Sequence, residues 1–145
     1  MQVFDVMTPG PRTCAPETTI AEAADLMWQA DCGVLPVVRE GKVCGIVTDR
    51  DITVRAVATG KSPDTKVRDI MSGEVLYCFD DEELTHVSRN MSDMKVRRLP
   101  VVNRDKRLVG FISFSDVARH EQPTTVGRMA ARVSEPGGKH SQAAH

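Results

Sequence analysis

Hydrophobic and polar residues follow one another along the chain in two patterns, and each pattern occurs twice. Residues 19–30 and 83–94 carry apolar side chains at helical spacing, namely Ile20, Ala23, Ala24, Met27 and Trp28 in the first segment and Leu84, Val87, Met91 and Met94 in the second. Such spacing predicts two amphipathic helices with these residues on the apolar face. Both helices are therefore expected to pack against a core.

Short apolar runs follow both helices and predict two β-hairpins. The runs "VLPVV" and "KVCGIVT" flank the turn sequence "REG", and "LPVV" and "LVGFIS" flank "NRDKR". Apolar runs separated by a few turn-forming residues are typical of antiparallel strands. A second helix is predicted after each hairpin, from Asp49 to about Ala58 and from Ser115 to about His120.

Two polar segments interrupt this order. Residues 59–66, "TGKSPDTK", have the composition of a linker. From Gln122 onward the chain becomes polar, and "VGRMAARVS" predicts one or two helical turns within this tail. Roughly the last ten residues are predicted to be disordered.

The chain contains an internal repeat. "VFDVM" at Val3 returns as "VRDIM" after 64 residues, and "LPVV" at Leu35 returns at the same spacing. After one inserted residue in the second hairpin turn, Asp51 matches Asp116 at a spacing of 65. A single insertion, placed in a turn, indicates duplication rather than chance similarity.

We therefore expect two repeats, over residues 1–62 and 63–121, followed by the polar tail over residues 122–145. One repeat of roughly 55 residues is marginal as an independent fold, because it buries too small a share of its surface. Two βαββα repeats packed sheet to sheet, related by a local two-fold, would bury both apolar faces and leave two pseudo-equivalent clefts. The predicted fold class is α+β.

Composition changes this picture mainly by exclusion. The 145 residues are 41% hydrophobic and 27% charged with a net charge of −1, so no overall field attracts nucleic acid or an anionic membrane. The chain shows no signal-peptide core and no run of roughly 20 apolar residues, which favours a cytoplasmic protein. Its 4 scattered cysteines form no C-x-x-C pair, so buried thiols are favoured over a disulfide framework or a zinc site.

The segments "CGVLPVVREGKVCGIVTDRDI" and "KVRRLPVVNRDKRLVGFISFSDV" resemble the characteristic segments of CBS domains, which are named after cystathionine β-synthase. The resemblance runs from Val3 to about Arg119 and includes the V-x-D-V/I-M opening of each repeat; the paired form is called a Bateman module. It implies a regulatory sensor of adenosine-containing ligands: AMP, ADP, ATP, NAD or S-adenosylmethionine. It also implies a head-to-head homodimer, and a separate effector protein is expected to respond to the ligand.

Two strand-to-helix corners carry the first candidate site residues. Thr48 and Asp51 have the spacing of a capping box, and Ser113 and Asp116 repeat it, with Ser115 as a further hydroxyl. Capping alone needs no ligand. The same carboxylates are also suited to accept hydrogen bonds from a ribose diol, with phosphate favoured at the nearby helix N-terminus. The family resemblance implies that these residues contact the sugar.

Arg97 and Arg98, in "KVRRLPVV", are the candidate phosphate ligands. Strands commonly begin with a solvated charge, but adjacent strand residues alternate faces, so one guanidinium is expected to turn inward and to need a phosphate or an internal carboxylate. The segment resembles one in the gamma subunit of AMP-activated kinase, which implies phosphate contacts for both arginines, with Lys95 in support. The first repeat lacks a basic pair, so Arg12, Arg50 or the arginines of the second repeat would serve there, and equal binding at both clefts is not expected.

Adenine is expected to rest on apolar walls. The residues assigned to it are Val34, Pro36 and Ile46 in one slot and Pro100 and Phe111 in the other, with backbone groups from Thr13 and Tyr77. Packing in the core is the simpler role for each of them.

Three other functions compete with the ligand sensor. A ligand-free assembly module would pair its arginines internally. Catalysis is disfavoured, because a catalytic barrel needs roughly 200 residues and no histidine has a nucleophile at a recognisable spacing. Nucleic-acid binding would use basic residues of the second repeat that more simply keep a hairpin edge soluble: Arg97, Arg98, Arg104, Lys106 and Arg107.

Overall fold

The computed structural model describes residues 1–135, which form two compact units of mixed helix and strand. The first unit comprises Met1–Gly10, Tyr77–Arg104 and the chain from Val109 onward. The second comprises Pro11–Leu76 and Asp105–Leu108. Each unit has its own hydrophobic core. The predicted α+β class is confirmed.

The helices and strands follow the order that the hydrophobic pattern predicts. In chain order they are α1 (Val3–Val6), β1 (Thr8–Pro9), α2 (Ile20–Ala30), β2 (Val34–Arg39), β3 (Lys42–Thr48), α3 (Asp49–Asp51), which continues as a π-helix (Ile52–Val57), a 3₁₀ helix (Val67–Asp69), β4 (Cys78–Phe79), α4 (Leu84–Met94), β5 (Arg98–Val102), β6 (Leu108–Ser113), α5 (Phe114–Ala118) and α6 (Pro123–Val133). Within residues 1–135, no helix combines the length and the apolar character that a membrane crossing demands.

Local sequence signals explain where these elements begin and end. The Thr19 hydroxyl accepts a hydrogen bond from the Glu22 amide at 3.1 Å and caps the start of α2. The first hairpin turns at Glu40 and Gly41, which both have positive φ, 53° and 81°. Two consecutive left-handed residues match the right-handed twist of the flanking strands, which explains the tight connection between β2 and β3.

Both units contain the same strand arrangement. In the first unit the sheet order is β1–β6–β5–β4, with β1 antiparallel to β6 and β4 parallel to β5. In the second unit β2 pairs with β3, and isolated bridges join Ser72 to Ile46 and Cys14 to Val37. These bridges stand where β1 and β4 stand in the first unit, so the repeat in the sequence is a repeat in the fold.

The opening segment of each repeat packs in the unit that holds the other repeat's hairpin. Val3 of α1 is fully buried in the core that contains Cys78 and Leu84. Val67 of the 3₁₀ helix is fully buried in the core that contains Leu35. The compact units therefore differ from the repeat boundaries at residues 62 and 63, because the two "V-x-D-V/I-M" segments are exchanged.

The apolar face predicted for α2 is wrong in two positions. Ile20, Ala23 and Met27 are buried as predicted, whereas Ala24 and Trp28 are exposed, with 84% of Trp28 accessible to solvent. Trp28 follows Met27 directly, so it lies about 100° away around the helix axis. Its size and apolar character suggested a core position that helix geometry does not give it.

The segment after Gln122 forms a longer helix than its polar composition suggests. Helix α6 has 11 residues and follows Pro123 at its first position, where a missing amide proton costs nothing. Met129 is 1% exposed and joins the core of the first unit. The predicted disorder concerns residues 136–145, which lie outside the described part of the chain.

We expect Cys14 and Cys78 to resist thiol reagents in the folded protein. Burial raises the pKa of Cys14 to about 11, with a contribution from Cys44, and burial raises the pKa of Cys78 to about 12, with contributions from Glu82 and Asp80. The thiolate is the reactive form, so both thiols stay protonated at neutral pH. Titration with Ellman's reagent should show two fast and two slow thiols in the native state.

The same pKa shifts imply a pH dependence of stability. Both folded values lie above the model value of 9.0, so above about pH 9 the thiols ionise in the unfolded chain before they ionise in the folded one. The free energy of unfolding should therefore fall as the pH rises from about 9 towards 12. Replacing Cys78 by serine should reduce this slope. Four equally fast thiols in the native protein would contradict both expectations.

Candidate functional site

The corner between β3 and α3 is built around Asp51. Its Oδ2 accepts a hydrogen bond from the Thr48 backbone amide at 2.9 Å, and the Asp51 amide donates to Thr48 Oγ1 at 3.0 Å. Its Oδ1 lies 3.6 Å from Arg55 Nε. Asp51 is 6% exposed. The corner thus holds a nearly buried carboxylate with one oxygen committed to the helix cap.

The corner between β6 and α5 repeats this geometry around Asp116. Its Oδ2 accepts from the Ser113 amide at 2.8 Å and from Ser113 Oγ at 3.0 Å, while the Asp116 amide donates to Ser113 Oγ at 3.3 Å. Its Oδ1 accepts from Arg119 Nη2 at 2.6 Å. The capping boxes predicted at both corners are confirmed.

Both corners place an arginine on the carboxylate oxygen that the cap does not use. Arg55 and Arg119 lie four and three residues after their aspartates, and their side chains are 47% and 66% exposed. An ion pair with such an exposed partner contributes only about 0–1 kcal/mol. A ligand with two hydroxyl donors could therefore displace the arginine. Helical i,i+3 and i,i+4 spacing was the signal in the sequence for these two residues.

Arg97 and Arg98 lie beside the second corner, but neither is turned inward. The Arg97 carbonyl accepts a hydrogen bond of 2.7 Å from the amide of Phe114, the residue that follows Ser113. Both arginines are exposed, and β5 begins only at Arg98. The prediction that one guanidinium faces the interior is therefore wrong, because Arg97 precedes the strand and does not share its alternation.

The corresponding position of the first repeat has different chemistry. The Gly33 carbonyl accepts from the Asp49 amide at 3.0 Å, in the place of the Arg97 to Phe114 bond. The Asp49 carboxylate folds over Gly33, so that Asp49 Oδ2 would lie 2.8 Å from a Cβ added there. The first corner thus carries an exposed carboxylate where the second carries a basic pair.

The other predicted polar site residues have separate surroundings. Lys95 ends α4 in a left-handed conformation, with φ of 56°, and its Nζ lies 3.3 Å from Glu135 Oε2. Ser115, Arg12 and Arg50 are exposed. Lys95 is therefore engaged with the end of the chain's last helix, away from the phosphate role assigned to it.

The residues assigned to adenine are grouped by the strands as expected. Val34 pairs across the hairpin with Thr48, and Pro36 pairs with Ile46. Pro36 is buried, and its carbonyl accepts from the Cys14 amide at 3.1 Å, which brings the neighbouring Thr13 close to the same strand. This half of the predicted set surrounds one end of β2.

The equivalent set of the second repeat is more dispersed. Pro100 is buried within β5, and Phe111 is half-buried in β6, opposite Thr8 of β1. Tyr77 is 40% exposed, and its ring meets the Phe79 ring edge to face at 5.7 Å. Aromatic packing at the start of β4 therefore accounts for the tyrosine ring and leaves its backbone groups as the predicted base contacts.

A cavity of about 500 Å³ in the second unit does not coincide with the corner at Asp51. Among the predicted residues only Thr13 lines it, and the other lining residues are Cys14, Ala15, Thr18, Glu22, Asp25, Leu26 and Val38. Two carboxylates of α2, on Glu22 and Asp25, were missed because their helix face was taken to be solvated. Both already bond within α2 or its cap, to Thr19 and to Gln29.

Two basic residues of the second hairpin turn have internal partners. Arg104 donates two hydrogen bonds to Asp81, at 2.8 and 2.7 Å, and lies 4.1 Å from the centre of the Phe79 ring. The hydrogen bond from Arg104 lowers the pKa of Asp81. Arg107 Nη1 donates to the Glu40 carbonyl at 3.2 Å. Within residues 1–135, no group of three or more His, Cys, Asp or Glu side chains is placed to hold a metal ion.

Comparison with known proteins identifies the family. A family model for the CBS domain matches residues 3–57 and 67–122. The CBS domain-containing protein YhcV of Bacillus subtilis is 40% identical over 116 residues, which cover 80% of this chain and 82% of that protein.

Two similar solved structures hold ligands. The CBS domain pair of protein MJ0100, in complex with 5′-methylthioadenosine and S-adenosyl-L-methionine, is 32% identical with a TM-score of 0.70, and the match covers 82% of this chain and 94% of that one. CBSX2 in complex with AMP is 27% identical with a TM-score of 0.71, and the match covers 81% and 93%. The chain belongs to the CBS domain family and carries two CBS domains, as the resemblance of its sequence implies.

Proposed function

We propose that this chain is a non-catalytic regulatory module that binds an adenosine-containing ligand and relays its presence to a partner protein. The candidates are AMP, ADP, ATP, NAD and S-adenosylmethionine. The observation that carries the proposal is the duplicated corner, in which a nearly buried aspartate keeps one oxygen against an exposed arginine. Ligands of this class in two similar CBS pairs support it.

The aspartates would receive the ribose. Asp51 and Asp116 would accept the two sugar hydroxyls through Oδ1, after Arg55 or Arg119 has moved into solvent. The cap bonds to Thr48 and to Ser113 hold each carboxylate in place for this role, since they use the other oxygen. Because the carboxylate is already ordered and desolvated, little conformational entropy would be lost when the sugar binds.

The two corners would prefer different ligands. Arg97 and Arg98 beside the second corner suit the phosphate of AMP, ADP, ATP or NAD. Asp49 at the first corner would repel phosphate, so a nucleoside without a phosphate, or the cationic S-adenosylmethionine, fits better there. This asymmetry sharpens the expectation of unequal binding.

Thermal unfolding with each candidate ligand tests the proposal. A ligand present at about 100 times its dissociation constant should stabilise the protein by roughly 2.7 kcal/mol. AMP, ATP, NAD, S-adenosylmethionine and adenosine should be compared at equal concentration. If none of them moves the melting temperature even at millimolar concentration, the sensor function is overturned.

Variants of the second corner test the assigned roles. Replacing Arg97 and Arg98 together by alanine should weaken AMP binding by about tenfold or more and leave adenosine binding nearly unchanged, because a charge-assisted bond to phosphate contributes about 1.5–3 kcal/mol. Arg89 and Arg128, exposed arginines outside the corners, provide the matched double alanine control. Isothermal titration calorimetry measures both affinities. Equal losses for AMP and adenosine would contradict the phosphate role.

A ligand-free assembly module is the second candidate. Among the described residues no buried side-chain nitrogen or oxygen lacks a hydrogen-bond partner, so the corners are satisfied without a ligand. This candidate predicts that Asp116→Asn costs stability through the lost cap, about 1 kcal/mol, with no nucleotide effect. Asp5→Asn, which alters the same capping position in α1, is the control. Mass spectrometry of co-purified small molecules separates the two candidates.

We further propose a homodimer that acts on a separate effector in the cytoplasm. The cytoplasmic assignment is supported by the cysteines, since all four lie within the described residues as free thiols. The internal partners of Arg104 and Arg107 support a function without nucleic acid.

A further inference from the structure

The helices of the first repeat carry exposed apolar side chains on their outer side. Trp28 of α2 is 84% exposed, and Val54 and Val57 of the π-helix are 47% and 65% exposed. Ala21 and Ala24 of α2 are also exposed and lie on the same side of the helix as Trp28, seven and four residues before it. We call these five residues the Trp28 face.

Both helices that form this face belong to one layer. Ala23 and Met27 of α2 lie in the same core as Ala56 of the π-helix, with Ile52 packed against it. The inner sides of the two helices are thus buried together, and their outer sides are exposed. A helix pair with apolar residues on both sides is unusual for a surface layer, because a polar outer side is the norm.

The second repeat covers the equivalent face with its own chain. Helix α6 packs against α4 and α5, the counterparts of α2 and the helix after β3. Ser88, which matches Ala24, is only 2% exposed, and the Thr85 hydroxyl donates to Glu121 at 3.3 Å. Met129 of α6 completes this cover in the core of the first unit.

The two faces have the reverse of the polarity that their exposure demands. The covered face carries Thr85, Ser88, Ser92, Arg119 and Gln122 at the positions that hold Ala21, Ala24, Trp28, Val54 and Val57 on the open face. Exposure of apolar surface costs roughly 25 cal/mol per Å², and tryptophan is among the residues most enriched at binding hot spots. An open face that is more apolar than its covered counterpart indicates a missing partner.

No other described segment of the chain supplies this cover. Helix α6 is already packed on α4, where Arg132 and Asp93 lie 3.8 Å apart and Lys95 pairs with Glu135. The ten residues after Glu135, "PGGKHSQAAH", contain no large apolar side chain. Cover must therefore come from another molecule.

We propose that the Trp28 face binds the Trp28 face of a second copy of this chain. The exposed charges of α2 and its cap are all acidic, on Glu22, Asp25 and Asp31. The segment after β3 has a basic excess, with Arg50, Arg55 and Lys61 against a single exposed carboxylate on Asp49. A two-fold contact sets each surface against its own copy, so an acidic helix beside a basic one is self-complementary. The apolar residues would then form the centre of the interface and the charges its rim.

This inference deepens the homodimer proposed above by naming its surface and by excluding the face that α6 occupies. It does not depend on ligand binding. Its test needs no nucleotide, so failure of one proposal is distinguishable from failure of the other.

Sedimentation of the full chain over a range of concentrations tests the interface. The wild type should be a dimer at micromolar concentration, and Trp28→Asp should weaken dimerisation by at least roughly 100-fold, because a hot-spot residue is lost twice in a two-fold contact. Phe4→Asp is the control, since Phe4 is another exposed aromatic, 61% accessible, in the first unit. It should leave the dimer intact.

Tryptophan fluorescence provides a second measurement on the unaltered protein. Trp28 is the 1 tryptophan of the chain, so its emission reports this face alone. Emission that shifts to longer wavelength as the dimer dissociates on dilution supports the interface. A monomer at all concentrations, a dimer that Trp28→Asp leaves unchanged, or a dimer whose tryptophan emission is that of exposed indole each overturns it.

Discussion

Replacing Met129 by alanine is expected to lower the free energy of unfolding by about 2–5 kcal/mol. Met129 is 1% exposed and packs in the same core as Leu84 and Met91 of α4. Truncating a buried methionine removes its transfer free energy and leaves a cavity that the neighbouring helices fill only in part. Urea denaturation followed by circular dichroism measures the change.

The neighbouring residue provides the control for this experiment. Arg128 lies on the exposed side of the same helix, and its replacement by alanine should change stability by no more than about 0.5 kcal/mol. If Met129→Ala were as mild as Arg128→Ala, helix α6 would not belong to the core of the first unit. The absence of cover on the Trp28 face would then lose its significance as well.

Replacing Gly110 by alanine is the second large effect that we expect, a loss of about 1–3 kcal/mol. A Cβ at this position would lie 2.5 Å from Met7 Sδ and 2.9 Å from the Thr8 carbonyl oxygen. The methionine side chain can move, but the carbonyl is part of β1, which pairs with β6 at Pro9 and Gly110. The strand would have to shift, and the pairing would weaken.

Two other glycines complete the test. Gly45 is the repeat equivalent, where a Cβ would meet Met71 Sδ at 2.5 Å and the Ser72 carbonyl at 3.0 Å, so Gly45→Ala should cost a similar amount. Gly127 in α6 has no atom within 4 Å of an added Cβ, so Gly127→Ala should stabilise the protein by about 0.5–1 kcal/mol. Equal effects at all three positions would contradict the steric explanation.

The sequence contained enough to predict the elements and the capping boxes, because these depend on neighbours within a few residues. Thr48 and Asp51 are three residues apart, and the cap forms wherever a helix follows the strand. The repeat then transferred every local expectation from one half to the other. It could not show that α1 and the 3₁₀ helix exchange places, because that choice depends on contacts about 80 residues apart in sequence.

The errors in the candidate site have a common physical origin. Trp28 was assigned to the core from its hydrophobicity, and Arg97 was assigned to a strand from the apolar run that follows it. In both cases a shift of one residue decides which way the side chain faces: Met27 is buried beside the exposed Trp28, and β5 begins at Arg98. Patterns of apolar residues do not locate element ends to within one residue.

The exchange of opening segments has a consequence for synthesis of the protein. Val3 emerges from the ribosome first, yet its neighbours Leu99, Ile112 and Val117 follow about a hundred residues later. At roughly 5–20 residues per second, the N-terminal segment waits on the order of ten seconds for its partners. A nascent chain released before α5 therefore has neither core complete, and the two CBS domains should become protease-resistant together rather than one after the other.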